Sequence, residues 1–312
     1  RFPVNWDAET LGVEFRDQVH LRTCARLLCA QALLLAHENQ GDAALGACDA
    51  AFALAQAITT HPTLLAQYAC YPAIGIACKA LEGVLEWSQP SPAECLRLAD
   101  RLASIDLNKP RVHAFEGERA TGLSVFHMAL NAFEPLAAVL AISETLLGAE
   151  PSGHVTRFTP PRTRSPLQSP KGRLVVLMDA LAYVRLANRA VELAALPYRE
   201  LPSHVPMPHE EAEDLVRERL AHPWRAHLSP APSPNYLLTF ALTPSVLYTA
   251  RSRDEAFARV GLAQTALWLK AYRATHRAYP DSLSTLERAV RGSPQPAPAV
   301  RRGVSPYAPT PD

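Results

Sequence analysis

An all-α protein built from stacked αα-hairpins is what the sequence predicts, and three observations predict it. From Val19 to Trp87, about seventy residues rich in Ala, Leu and Cys recur at helical spacing. Only Asn39-Gln40-Gly41-Asp42 and Thr59-Thr60-His61-Pro62 interrupt that run, so paired, closely packed helices are expected. The 312 residues also hold only 13 Gly against 28 Pro, with the prolines concentrated in 151–234 and 294–312. The chain is therefore helical first and loop-rich later, and its length suffices for one large core or two modest ones.

The elements follow in order. A first helix from about Ala8 to Glu38 carries the stripe Leu21, Cys24, Leu28, Ala32, Leu35. Gly41-Asp42 turns the chain into a helix from Ala43 to Thr59, striped by Leu45, Cys48, Phe52 and Ala55, with alanines on its other face. A third helix begins after Pro62 and ends at Trp87, aligning Ile74, Cys78, Leu81 and Leu85, with a kink expected at Pro72. Ser91-Pro92-Ala93-Glu94 supplies an N-cap, a proline at the first helical position and a capping-box Glu for a fourth, striped by Cys95, Leu98, Leu102 and Ile105. The apolar run of the first helix begins at Val19 and the third helix after Pro62, roughly 44 residues apart, near the period of two-helix solenoid repeats. That gives the N-terminal part tetratricopeptide- or HEAT-like solenoid character.

Helical pattern continues from Pro110 to Leu147, with a break expected at Gly117, Gly122 or Pro135. Further helices are expected over Gly172–Leu196, over an acidic stretch from Glu210 to Glu218, over Tyr236–His276 with a kink at Pro244, and from Leu283 to about Arg291. The resulting organisation is an αα-hairpin portion (1–148), a basic proline-rich loop (149–170), a second helical portion (171–292) and a proline-rich tail (293–312).

A formal net charge of +1 predicts no general attraction to nucleic acid. Local charge says more. The stretch from Pro151 to Met178 carries Arg157, Arg162, Arg164, Lys171 and Arg173 with no acidic residue, interleaved with prolines that hold it extended. Such a segment is either a solvated loop or a docking arm for an acidic protein surface, lipid headgroups or another polyanion. Cys24, Cys29, Cys48, Cys70, Cys78 and Cys95 all lie in the first third, and none forms C-x-x-C. Two readings stay open for them: small buried hydrophobes in tight helix contacts, or interhelix disulfides in an oxidising compartment.

Motifs for catalysis and cofactors are tested in turn. Neither His37-Glu38 nor His209-Glu210 completes His-Glu-x-x-His, and the paired Glu-x-x-His of a di-iron bundle is absent. His113-x-x-Glu116 reads as a helical surface pair, with His127 a conceivable third ligand. Gly122-Leu123-Ser124-Val125-Phe126 stops one residue short of Gly-x-Ser-x-Gly. Glu116 with Glu118, or Glu134 with Glu144, read as ordinary helical carboxylates rather than acid/base pairs. No enzyme, cofactor or metal is expected.

Two segments resemble a known family. Leu27-Leu28-Cys29-Ala30-Gln31-Ala32 with the Gly41-Asp42 turn, then Pro62-Thr63-Leu64-Leu65, is similar to the helical hairpins of an uncharacterised family of exported or membrane-anchored bacterial proteins. The phrase from Ala266 to Leu283, with Tyr272-Arg273, His276 and Tyr279-Pro280-Asp281-Ser282-Leu283, resembles that family's closing helix and the corresponding phrase of type II secretion pseudopilins. The usual D-P-F-x-G-K-P-L-x-Y ending is replaced by Ser293-Pro294-Gln295-Pro296. The resemblance implies a periplasmic or otherwise extracytoplasmic location, and the opening Arg1-Phe2-Pro3 without an initiator Met reads as a processed or trimmed start, any membrane anchor lying in a segment outside these residues.

Together these readings lead to a non-enzymatic scaffold or accessory subunit of an envelope assembly. Its partners would be proteins, with membrane proximity and no nucleic acid. The alternative is a small-molecule or peptide binder with an interhelical pocket.

Overall fold

The computed structural model describes residues 16–131, 169–201, 206–221 and 236–291, and every regular element among them is helical. In chain order these are α1 (Arg16–His37), α2 (Gly41–Ile58), α3 (Leu64–Trp87), α4 (Pro92–Ala103) and α5 (Asn108–Asn131), then α6 (Pro170–Ala194), a 3-10 turn (Tyr198–Glu200), α7 (Pro208–Ala221), α8 (Leu237–Leu242), α9 (Val246–His276) and α10 (Leu283–Arg291). The all-α class is thus correct. Arg157, Arg162, Arg164, the expected break at Pro135 and the proline-rich tail lie outside the described residues.

The chain forms two compact units, each assembled from three stretches. Unit 1 takes Arg1–Thr23, Leu54–Ala73 and Asp106–Ala256; unit 2 takes Cys24–Ala53, Ile74–Ile105 and Phe257–Asp312. These units interleave along the chain. Helices α1, α2, α3 and α9 each supply residues to both, a sharing that loop composition cannot show.

In unit 2 the α1–α2 turn is tighter than expected. Asn39 takes the left-handed conformation (φ 59°), a role for which a short amide side chain is suited, and α2 begins at Gly41 itself. Gly41 is needed for a different reason: a Cβ there would stand 2.7 Å from the Pro90 nitrogen. α1 lies against α3, with His37 stacked on Trp87 at 4.3 Å and Leu33 over Gly83. α2 lies against α4 through Arg97 to Asp49 (2.7 Å). The buried face of α1 is Ala25, Cys29, Ala32 and Ala36, so of the expected stripe only Ala32 is fully buried. Small side chains take the tight interface and the leucines are turned to its edge.

The α4 cap is half as expected. The Ser91 hydroxyl accepts from the Glu94 N–H, but the Ser91 N–H donates to Asp42 Oδ1 of α2 (2.6 Å) and Glu94 pairs with Arg97 instead. From α9, Gln264 donates to the Ala99 carbonyl and Lys270 to the Leu85 carbonyl.

In unit 1, α5 runs unbroken through Gly117 and Gly122. Both glycines serve close approach: a Cβ at 117 would lie 1.7 Å from the Pro62 carbonyl oxygen, and one at 122 would lie 2.1 Å from the Tyr183 hydroxyl. The expected Tyr236–His276 helix is two helices, because Pro244 lacks the N–H needed to continue and Thr243 is extended (ψ 113°). α3 is apolar and long enough to cross a membrane by composition, yet 67% of its most apolar window is buried inside the protein. Its Leu64 packs with Phe115 of α5, Ala190 of α6 and Val246 of α9 in one core.

Candidate functional site

α6 is the element through which unit 1 presents a surface. Ser169 caps it by accepting from the Gly172 N–H (3.0 Å), with Pro170 at its first position, an arrangement worth about 1 kcal/mol. This repeats the Ser-Pro device of α4.

Its inner face is pinned along the whole length. Asp179 is buried and accepts from the backbone N–H and hydroxyl of Thr239, holding the start of α8, where Tyr236 is left-handed (φ 56°) and supplies no side-chain cap. Burial raises the Asp179 carboxyl above the ordinary range, while the Thr239 and Leu238 hydrogen bonds act the other way. The Tyr183 hydroxyl donates to the Glu118 carbonyl (2.8 Å), and burial pushes that phenol strongly up. Arg189 bridges to Glu211 of α7 (2.9 Å) and donates to the Pro206 carbonyl. A helix held at so many points keeps its outer face fixed.

That outer face is apolar. Leu174, Leu177, Met178 and Leu181 follow i, i+3, i+4, i+7 spacing and remain exposed, Leu181 to 71%. Lys171 and Arg173 are exposed at its N-terminal end and Arg185 at the other. Beside Leu181 an open depression of about 330 Å³ is lined by Leu181, Ala182, Arg185, Leu215 and Tyr236. Contiguous exposed leucines rimmed by cations mark a contact surface for another molecule more often than a solvated face.

Of the five basic residues predicted to bind partners, Lys171 and Arg173 therefore stand at the end of this stripe. The stripe itself escaped the sequence reading, although Leu174-Leu177-Leu181 was visible: one helix carries two apolar faces, and periodicity does not say which is covered.

All six cysteines are free thiols, five of them buried and Cys24 exposed. Burial pushes Cys48, Cys70 and Cys78 up to about 12 and Cys95 to about 11. Thiols so desolvated are poor nucleophiles. Ser124 sits inside α5 with its hydroxyl on the Ala120 carbonyl. Glu116 is exposed, while Glu118, two residues on, turns inward and accepts from the Leu64 N–H (2.8 Å), capping α3. His113, Glu116 and His127 are not brought together as a ligand set among the described residues.

Comparison with protein families, with curated proteins and with solved structures finds no match for this chain.

Proposed function

We propose that the chain is a non-enzymatic helical scaffold, or accessory subunit, that docks an acidic-rimmed protein partner on the outer face of α6. One observation carries the reading: four large apolar side chains stand exposed on one rigidly held helix face, flanked by Lys171, Arg173 and Arg185. Burying such a stripe stabilises association by roughly 25 cal/mol per Å² of apolar surface removed from water, and the cations orient the encounter. Arg157, Arg162 and Arg164 precede this face in sequence and add charge of the same sign. α1 against α3 and α2 against α4 support two stacked hairpins of one kind as the platform. The extracytoplasmic setting rests on the Tyr272 to Leu283 phrase, and fractionation with a C-terminal tag tests it.

The docking test compares cross-linked partners of the native chain with those of Leu177→Asp/Leu181→Asp and Lys171→Glu/Arg173→Glu. The exposed positions tolerate these changes, so circular dichroism should be unchanged while the captured partner is lost from both variants and kept by Arg217→Glu on α7. A partner set unaffected by the α6 changes overturns the reading.

A further inference from the structure

α3 carries a buried polar seam through the core of unit 1. Thr63, just before the helix, and Gln67 and Tyr71 within it recur every four residues, with 8%, 0% and 5% exposure, on an element apolar enough to resemble a membrane span. Thr63 is accounted for, since its hydroxyl accepts from the Ala66 N–H. Gln67 and Tyr71 are not: neither amide atom of Gln67 nor the Tyr71 hydroxyl meets a hydrogen-bonding partner among the described residues.

Arg111 of α5 faces the same seam. It is completely buried, its Nη2 donates to the carbonyls of Leu193 and Leu196 at the end of α6 (3.1 and 3.2 Å), and its Nε and Nη1 find no partner among the described residues. Leu64 bonded to Glu118 and Tyr71 beside Arg111 fix an antiparallel register between α3 and α5. That register sets Gln67 opposite Phe115, which adds no polar group.

A second guanidinium adjoins the first. Arg253 of α9, 4% exposed, donates to Asn108 Oδ1 one turn before Arg111 on α5, and to Asp254. The Asp254 carboxylate is occupied further by the Tyr198 N–H (3.1 Å). Asp254 thus pairs with Arg253, while Arg111 has carbonyls and no carboxylate as hydrogen-bond partners among the described residues, beside a core that includes Leu64, Phe115, Val246 and Ala250. Burial, with Arg253 adding to it, pushes Arg111 down to about 10, so the guanidinium is still charged at neutral pH. A buried charge without a counter-charge is strongly unfavourable, and native structures seldom leave buried donors unmet.

We propose that the Arg111, Tyr71 and Gln67 cluster binds a small oxyanion, a phosphate or carboxylate group, which supplies the missing negative charge. The free groups are mostly donors, as an oxyanion requires: two guanidinium N–H edges, a phenol O–H and an amide NH2. The Gln67 carbonyl oxygen needs a donor, which hydrogen phosphate supplies and a carboxylate does not, so phosphate binds more tightly than acetate. The site is independent of the α6 face, and entry requires local opening of the helices around it.

The test is a titration of the full chain with inorganic phosphate and, separately, with acetate, against sodium chloride at matched ionic strength, followed by unfolding midpoint and calorimetry. A saturable one-to-one rise with either oxyanion is expected, and which one acts identifies the source. Tyr71→Phe and Gln67→Leu keep volume and remove polar groups, so they should fold while binding on the order of tenfold more weakly, the value of one hydrogen bond to a charged group. No saturable effect beyond matched chloride, or full binding retained in both variants, overturns the proposal.

Discussion

Glycine and glutamate positions show how single residues set the terms of packing. Gly117→Ala would drive a Cβ to 1.7 Å from the Pro62 carbonyl oxygen, a backbone atom that cannot swing away, so a loss of about 3 kcal/mol or more in urea unfolding is expected. Gly46 and Gly261, also inside helices, have open space around a Cβ. Alanine there should stabilise by about 0.5–1 kcal/mol. Equal effects at 117 and 46 would refute the close-approach argument. Glu118 adds a pH signature. Burial raises its carboxyl above the ordinary 4.5, with the Leu64 N–H opposing. The folded state then holds the proton more tightly than the unfolded chain, so this group's stabilising effect is full below about pH 4.5 and declines as pH rises through the folded pKa. Glu118→Gln keeps an acceptor for Leu64 and should flatten that decline between about pH 4.5 and neutrality. Denaturant midpoints across the range check it, and an unchanged slope would sink the assignment.

Helix ends show what was legible in the sequence and what was not. Ser-Pro at the start of α4 is a local signal, because cap and first turn are contiguous, and the structure has Ser91 as the N-cap. Its second half is not local: Asp42, on a different helix, takes the Ser91 N–H from the capping-box Glu94. Asp42→Ala should therefore cost about 1 kcal/mol, while Glu94→Ala removes only a solvent-exposed pair with Arg97 and should cost a few tenths. Thermal melts of the two variants decide it, and a larger loss from Glu94→Ala would restore the local cap. The same logic explains α5. Glycine in a sequence reads as a breaker, but at Gly117 and Gly122 it answers to Pro62 and Tyr183, neighbours far away in the chain. The α6 face and the Arg111 seam were hidden for a related reason: composition shows apolar and polar residues, whereas which of them end up without a partner is decided by tertiary packing.

At the scale of the whole molecule, no single cut releases either unit, since each draws on three separated stretches. A fragment of residues 1–148 lacks the α9 segment that donates to the carbonyls of Ala99 and Leu85. It should show helical circular dichroism without a cooperative thermal transition, whereas the full chain should unfold cooperatively. A sharp transition in the fragment would mean that α1 to α4 suffice alone. Order of synthesis follows from the same interleaving. α1 to α4 leave the ribosome first, yet the α9 residues that complete their unit begin at Phe257. At about 5–20 residues per second, some 150 residues of delay correspond to roughly 8–30 s. For that interval the nascent hairpins expose alanine- and cysteine-lined surface that the finished protein covers, so holding chaperones are expected to bind them until the segment from Phe257 has emerged.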